Sequence, residues 1–396
     1  MRTITVVGAS LAGLSTVRAL RDQGFADRIV VVGDESHPPY DRPPLSKGFL
    51  DGSVPIAELA LAAPGEDLDV DWRLGVRAEA LRPGERTVLL ADGSELRSDA
   101  VVIATGARAR RLPGTAGIDA VHTLRTLDDA VRLRAAVATS GRRLVVVGGG
   151  FIGSEVAATA SAIGHQVSLV EPEPVPLSRQ FGVAVGGVLA DVHREHGVQV
   201  LTGVGVAGMV AAGKGARVDL TDGRALEADV VLVAVGAAPA VEWLAGSGLD
   251  LAGGVSCDAR GVTSIPGVLA VGDVARGFVP YVGAPTRIEH WTHAMRHPSV
   301  VAGALLSGGP PDAAVPATPP YVWSDQYDLR LQFAGHTQPD DAVEVVEGSL
   351  TERNFAAIYR RGGPLGRQVA VLAMNRARDF GRLRRTLQPV ASPSDA

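Results

Sequence analysis

Two glycine clusters carry the first chemistry that can be read from this chain. Gly8-Ala9-Ser10-Leu11-Ala12-Gly13 follows the β-branched run Ile4-Thr5-Val6-Val7, and Gly148-Gly149-Gly150-Phe151-Ile152-Gly153 follows Leu144-Val145-Val146-Val147, 140 residues later. In a strand–turn–helix of this kind the first glycine permits the tight turn and the last lets the helix lie close to the strand. The helix N-terminus then faces a pyrophosphate. The second copy has all three glycines, Gly148, Gly150 and Gly153, whereas Ser10 stands between Gly8 and Gly13 in the first. Each copy is followed by a strand that ends in acid: Gly33-Asp34-Glu35, and Glu171, which lies 21 residues past Gly150. A carboxylate there accepts hydrogen bonds from an adenosine ribose and repels a 2′-phosphate. Glu171, with Glu173 behind it, therefore favours NADH over NADPH. Two dinucleotides in one chain are what hydride transfer between a nicotinamide and a flavin requires.

The elements that must position these residues repeat in order. Strand, glycine turn, helix and the strand Arg28 to Val32 open the first unit. The Pro- and charge-rich segment Ser36 to Gly52 reads as a loop. A hairpin around Asp92-Gly93 and a strand closing on Ala104-Thr105-Gly106 follow. The second unit has a helix from Asp128 to Ser140, the second fingerprint, the strand Gln166 to Val170, a hairpin around Asp222-Gly223 and a strand closing on Gly236. This is an internal duplication of a βαβ nucleotide-binding unit. Ile265 to Asp273 reads as one more buried strand. Gly308 to Pro320 reads as a linker, the alternating segments beyond it as a smaller third domain, and the tail after Pro389 as disordered. The expected fold is α/β: two Rossmann-like dinucleotide-binding domains plus a small C-terminal α+β domain. The expected boundaries are 1–112 with 242–315 for the first domain, 113–241 for the second and 316–396 for the third.

Bulk properties narrow the function. The chain of 396 residues has a formal charge of −5, which gives no general reason to expect nucleic acid or an acidic membrane as partner. No apolar run approaches the roughly 20 residues that cross a bilayer. Met1-Arg2-Thr3 leads straight into a strand, so a cytoplasmic location is expected. Cys257 is the only cysteine, which excludes a flavin that hands electrons to a protein disulfide. His290, His293 and His297 share a helix face, but no further ligand completes a metal site and Pro298 follows at once, so no metal is expected. Arg376, Arg378, Arg382, Arg384 and Arg385 form a basic cluster that reads as a solvated helix face or as a docking surface for an acidic protein.

The most specific stretch is Pro38-Pro39-Tyr40-Asp41-Arg42-Pro43-Pro44-Leu45-Ser46-Lys47. Together with Thr105-Gly106, Leu124-Arg125-Thr126-Leu127, Val271-Gly272-Asp273, Arg287-Ile288-Glu289-His290-Trp291 and Trp323-Ser324-Asp325-Gln326, it makes the chain resemble the NADH-dependent ferredoxin reductases of oxygenase systems. These are putidaredoxin reductase-like flavoproteins of glutathione reductase-like fold, and the resemblance covers nearly the whole chain. It implies FAD in the first site, at Gly8, Ser10, Ala12, Gly13, Asp34, Glu35, Arg42, Lys47, Ala78, Thr105, Gly106, Arg125, Asp273 and Trp291. It implies NADH in the second, at Gly148, Gly150, Ile152, Gly153, Glu171 and Gly236. Lys47 matches a lysine beside the flavin ring and Glu155 the glutamate that pairs with it, so these two are the expected catalytic residues. Asp273 matches an aspartate on the ribityl chain and Trp291 a position at the pyrimidine edge. Trp323 fits either the flavin or plain packing. A cation near the flavin N1–C2=O region raises its electron affinity. The implied activity passes electrons from NADH to the flavin as hydride and then singly to an iron–sulfur ferredoxin, which feeds a cytochrome P450 or a ring-hydroxylating dioxygenase. Reduction of rubredoxin or a small acceptor, and an NADH-sensing interaction role like that of apoptosis-inducing factor, are the alternatives.

Overall fold

The computed structural model describes residues 1–307 and 318–390. Most of the expected linker and the tail beyond Val390 lie outside the described residues. Strands β1 (Thr3–Val7) and β2 (Arg28–Gly33) sit in a five-stranded parallel sheet of order Val268–Ala270, Ala100–Ile103, β1, β2, Val70–Leu74. Helix α1 (Leu11–Asp22) connects them. Strands β3 (Arg143–Val147) and β4 (Gln166–Glu171), joined by helix α2 (Phe151–Ala162), sit in a second parallel sheet of the same plan: Val121–His122, Val230–Val233, β3, β4, Gln199–Thr202.

The two sheets differ in where the outermost strand comes from. The first recruits Val268–Ala270 from beyond the second unit, and the second recruits Val121–His122 from before it. Each unit also carries a three-stranded antiparallel sheet, and Ala107–Ala109 pairs antiparallel with Ala237–Pro239 to tie the units together. The near-continuous Val/Ile runs of the central strands suit sheets buried on both faces, and Ile4, Val6, Val31 and Val146 are fully enclosed.

The third domain is a five-stranded antiparallel sheet of order β5 (Tyr321–Gln326), Leu329–Gly335, Arg367–Met374, Asn354–Arg361, Ala342–Ser349, with a helix at Ala377–Arg384. It shares a core with the second unit. Phe181, Val185 and Leu189 of the helix Ser178–Glu195 pack with Phe333, Phe355 and Tyr359, and the Tyr359 hydroxyl donates to the Phe181 carbonyl at 2.9 Å.

Three expected elements need adjustment. The segment Ser36 to Gly52 is not all loop: Pro43–Ser46 forms a 3-10 turn and Gly48–Asp51 a short helix. Pro43 presets the helical φ there, and burial of Leu45, Phe49 and Leu50 holds the turns down. The helix expected from Asp128 runs Leu127–Ala136, because Thr126 and Asp129 form a reciprocal capping box one residue earlier. The strand expected from Ile265 to Asp273 is confined to Val268–Ala270, since Gly272 at φ +71° turns the chain into a 3-10 turn that carries Asp273.

Candidate functional site

Both fingerprints fold into the same steric device. Gly8 (φ +124°) and Gly148 (φ +101°) bring the backbone so near a neighbouring strand end that a Cβ would strike the Ala104 and Ala234 carbonyls respectively. A Cβ on Gly13 would strike the Gly8 carbonyl, and one on Gly153 the Gly148 carbonyl, so each helix lies hard against its own turn. Neither α1 nor α2 has a side-chain cap, in contrast to the helix at Leu127. Their leading N–H groups are left for an external acceptor.

In front of α1 opens a cavity of about 590 Å³ whose lining includes Gly8, Ser10, Asp34, Glu35, Arg42, Ala78, Thr105 and Arg125. Glu35 is engaged from both sides, by Arg42 Nη2 at 2.6 Å and the Tyr40 hydroxyl at 2.5 Å. Asp34 has only a loose approach from Arg108, 3.6 Å away, and stays half exposed. Arg42 also reaches Ser10 Oγ at 3.3 Å and the Arg125 carbonyl. Arg125 in turn pairs with Asp273 at 2.7 Å, linking the cavity wall to a residue 148 positions away. Burial pushes the Tyr40 hydroxyl pKa up, so it remains a donor to Glu35. Ala12, Gly13, Gly106, Asp273, Lys47 and Trp291 are not among the residues of that lining. Ala12 and Gly13 serve the packing behind it, where a Cβ on Gly272 would press on Ala12.

A second cluster draws on three parts of the fold. Glu155 of α2 is 4% exposed. Its Oε2 accepts from Lys47 Nζ at 2.5 Å and Ser46 Oγ at 2.6 Å, and its Oε1 accepts from Ser324 Oγ at 2.7 Å. Lys47 also bonds the Pro43 carbonyl at 3.1 Å. A buried carboxylate with three donors, one of them cationic, is compensated. Nearby, Trp291 Nε1 donates to Asp41 at 2.7 Å. Burial raises the Asp41 pKa, while that indole bond and the Lys47 charge oppose the rise. Trp291 meets Trp323 edge-on at 5.8 Å, and Trp323 stacks on Tyr321 at 6.1 Å.

At the second fingerprint Glu171 is turned inward. Its Oε2 accepts from the Gly149 N–H at 2.5 Å and its Oε1 from the Glu173 N–H at 2.9 Å. Glu173 pairs with Arg179 at 2.5 Å. Ile152 is 39% exposed at the start of α2, and Gly236 (φ +92°) has open space around it.

Ser46, Asp41, Tyr40, Ser324 and Gln326 were not singled out by their residue type, although all five fall within distinctive stretches. Alternation along β5 could have marked Ser324 and Gln326 as sharing one face. The remaining tempting groups stand apart. Burial pushes the Cys257 thiol pKa up to about 12, so no thiolate forms near neutrality. His293 and His297 stack at 4.7 Å, and burial lowers both, His293 to about 3. In the basic cluster, Arg376 and Arg382 are already paired with Asp379 and Glu347, while Arg384 lies 5.0 Å over the Tyr321 ring.

Residues 2–297 match the pyridine nucleotide-disulphide oxidoreductase family, and residues 321–396 match a reductase C-terminal domain. This chain belongs to the pyridine nucleotide-disulphide oxidoreductase family. Within it, the chain is 37% identical over 388 residues to the benzene 1,2-dioxygenase system ferredoxin–NAD(+) reductase subunit of Pseudomonas putida, covering 97% of this chain and 92% of that one. It is 34% identical to putidaredoxin reductase of the same organism, over 96% and 90% of the two chains. The covalent putidaredoxin reductase–putidaredoxin complex superposes with a TM-score of 0.91 at 33% identity, covering 98% and 93%. Despite the family's title, this oxidoreductase has a single cysteine and so no disulphide partner within the chain. Among the described residues no helix is long and apolar enough to cross a membrane.

Proposed function

We infer that this oxidoreductase is an FAD-dependent ferredoxin–NAD(+) reductase. It takes electrons from NADH and delivers them singly to an iron–sulfur ferredoxin that serves a cytochrome P450 or a ring-hydroxylating dioxygenase. The Lys47–Glu155 pair carries the reading, because it joins the loop behind the first fingerprint to the helix opened by the second. The glycine turns, the uncapped helix and the long cavity before it fit an FAD. The residues that would hold it are Gly8, Ser10, Asp34, Arg42, Ala78, Thr105 and Arg125, with Gly13 packing the turn and Asp273 acting from behind Arg125. Gly148, Gly150, Gly153 and the open rim at Ile152 and Gly236 would hold NADH. The interlocked sheets support an FAD domain of residues 1–112 with 242–315, an NADH domain of 113–241 and a third domain of 316–396.

A bound FAD would supply hydride acceptance and one-electron release. The chain's own work is placement, which contributes roughly 7 kcal/mol or more to lowering a barrier of this kind. Lys47 supplies a cation where negative charge develops, and Glu155 keeps that cation from being an uncompensated buried charge. Trp291, held by Asp41, supplies a flat wall. With Cys257 inert, electrons leave through an outside partner. Use of NADH and the lack of any cysteine pair support a cytoplasmic location.

The test is anaerobic. The FAD-loaded protein is titrated with NADH and then mixed with ferredoxins of its own host. Bleaching of the flavin by NADH at a far lower concentration than NADPH, followed by reoxidation on adding a ferredoxin, is the expected result. Bleaching without reoxidation by any of them removes the reductase reading.

A further inference from the structure

The third domain reaches into the Lys47–Glu155 site through one strand. Along β5 successive side chains point to opposite faces. Tyr321 and Trp323 face Trp291 and Phe380, whereas Val322, Ser324 and Gln326 face the second unit. Val322 packs on the Phe181 cluster. Ser324 is fully enclosed and gives its hydroxyl proton to Glu155 Oε1 at 2.7 Å. Gln326 Nε2, also enclosed, donates to Ser324 Oγ at 3.2 Å, so the hydroxyl's own proton is committed to the carboxylate.

Among the described residues, Ser324 is the only donor to Glu155 from the third domain and the only one on Oε1; Lys47 and Ser46 both donate to Oε2. Ser324 thus fixes which way the carboxylate plane faces. Lys47 is equally distinctive: of 38 Lys and Arg residues only Lys47 and Lys214 are lysines. A compact ammonium on a flexible stem depends on its acceptor for its position more than a forked guanidinium does.

Resting on the reductase reading above, we propose that Ser324, held by Gln326, is a positioning residue that orients Glu155 and through it sets the place of Lys47 at the flavin. The third domain is then part of the redox site as well as a cap on the second unit.

The test uses the FAD-loaded protein and the series Ser324, Ser324→Cys, Ser324→Ala, in which donor strength falls while size is nearly kept. Trace labelling with acetic anhydride reports the reactivity of Lys47, and Lys214, exposed between the strands Val206–Ala212 and Gly215–Leu220, is the internal standard. In Ser324→Ala the Lys47 to Lys214 labelling ratio should rise about fivefold, as expected when only part of a lost hydrogen bond to the charged Glu155 is felt at Lys47. The rate of flavin reduction by NADH should fall about tenfold, and Ser324→Cys should lie between on both measures. An unchanged labelling ratio overturns the proposal whatever happens to the rate, since a packing defect would slow turnover without freeing the lysine. A ratio that moves in a protein that reduces no ferredoxin supports the positioning role and removes the partner assignment alone.

Discussion

The two nucleotide units share a turn and differ in what surrounds it. In the first, Glu35 is held by Tyr40 and Arg42 five and seven residues away, but Arg42 is itself tied to distant parts of the chain: to the Arg125 carbonyl across 83 residues, and through Arg125 to Asp273 across 148 more. In the second, the holding is local: Glu171 with Gly149 and Glu173, and Glu173 with Arg179 six residues away. A site assembled from remote segments forms once, with the fold, and opens only when those segments part. A site made of one loop and its neighbours opens at little cost. The contrast supports the proposal of a resident FAD in the first unit and an exchangeable NADH in the second.

Alanine at the first glycine of each turn separates the two sites most sharply. Gly8→Ala and Gly148→Ala create the same clash, a Cβ driven into a carbonyl at positive φ. A turn that shifts to relieve this strain, about 3 kcal/mol, withdraws its N–H groups from the pyrophosphate, and affinity should fall by up to roughly a hundredfold. Gly8→Ala should be isolated with little FAD, seen as loss of flavin absorbance per mole of protein. Gly148→Ala should keep its flavin and need far more NADH to bleach it. If Gly148→Ala loses FAD and Gly8→Ala keeps it, the assignment of the two nucleotides is reversed.

The acids give a smaller and more graded comparison. Glu171 spends both oxygens on backbone N–H groups, so Glu171→Ala leaves one buried and one half-buried donor bare, at about 1–3 kcal/mol. The KM for NADH should rise roughly tenfold, and the preference over NADPH should narrow because the charge is gone. Glu173→Ala should change the preference by about twofold at most, since Glu173 is already offset by an exposed Arg179. Steady-state kinetics with both nucleotides measures this. An unaltered preference in Glu171→Ala would place ribose selection on another residue.

What the sequence disclosed follows from how local each feature is. Each glycine turn and its terminal acid fall within one strand–helix–strand unit, so the duplicated plan and both candidate sites are legible in the order of residue types. The short helices at Pro43 and Gly48 were hidden because they are held by burial of Leu45 and Phe49 and not by any periodic pattern. The Ser324–Glu155 bond was hidden for another reason. It joins residues 169 positions apart, and nothing about a serine in a strand says which carboxylate it will meet. Glu35 and Asp34 read as equivalent acids, and only the approach of Arg42 and Tyr40 separates them.

The smallest expected effect concerns the basic cluster near the C-terminus, which reads either as a solvated helix face or as a docking surface. Arg376 and Arg382 are neutralised by Asp379 and Glu347. Among the described residues Arg384 has no carboxylate in contact; it lies over Tyr321, and its burial, together with repulsion from the exposed Arg296, lowers its pKa. Tyr321 continues through Trp323 to Trp291, so a negative group on the ferredoxin that met Arg384 would bring the partner to the outer end of that aromatic run. Arg384→Glu should raise the KM for ferredoxin by about threefold to tenfold at low salt and by much less near 0.5 M, because exposed charge pairs are screened. Arg382→Glu should do less, since part of its charge is already spent. Turnover with ferricyanide, which needs no docking surface, should be the same in both variants. Equal effects of the two reversals on ferredoxin would mean that overall charge steers the encounter and that Arg384 has no special place in it.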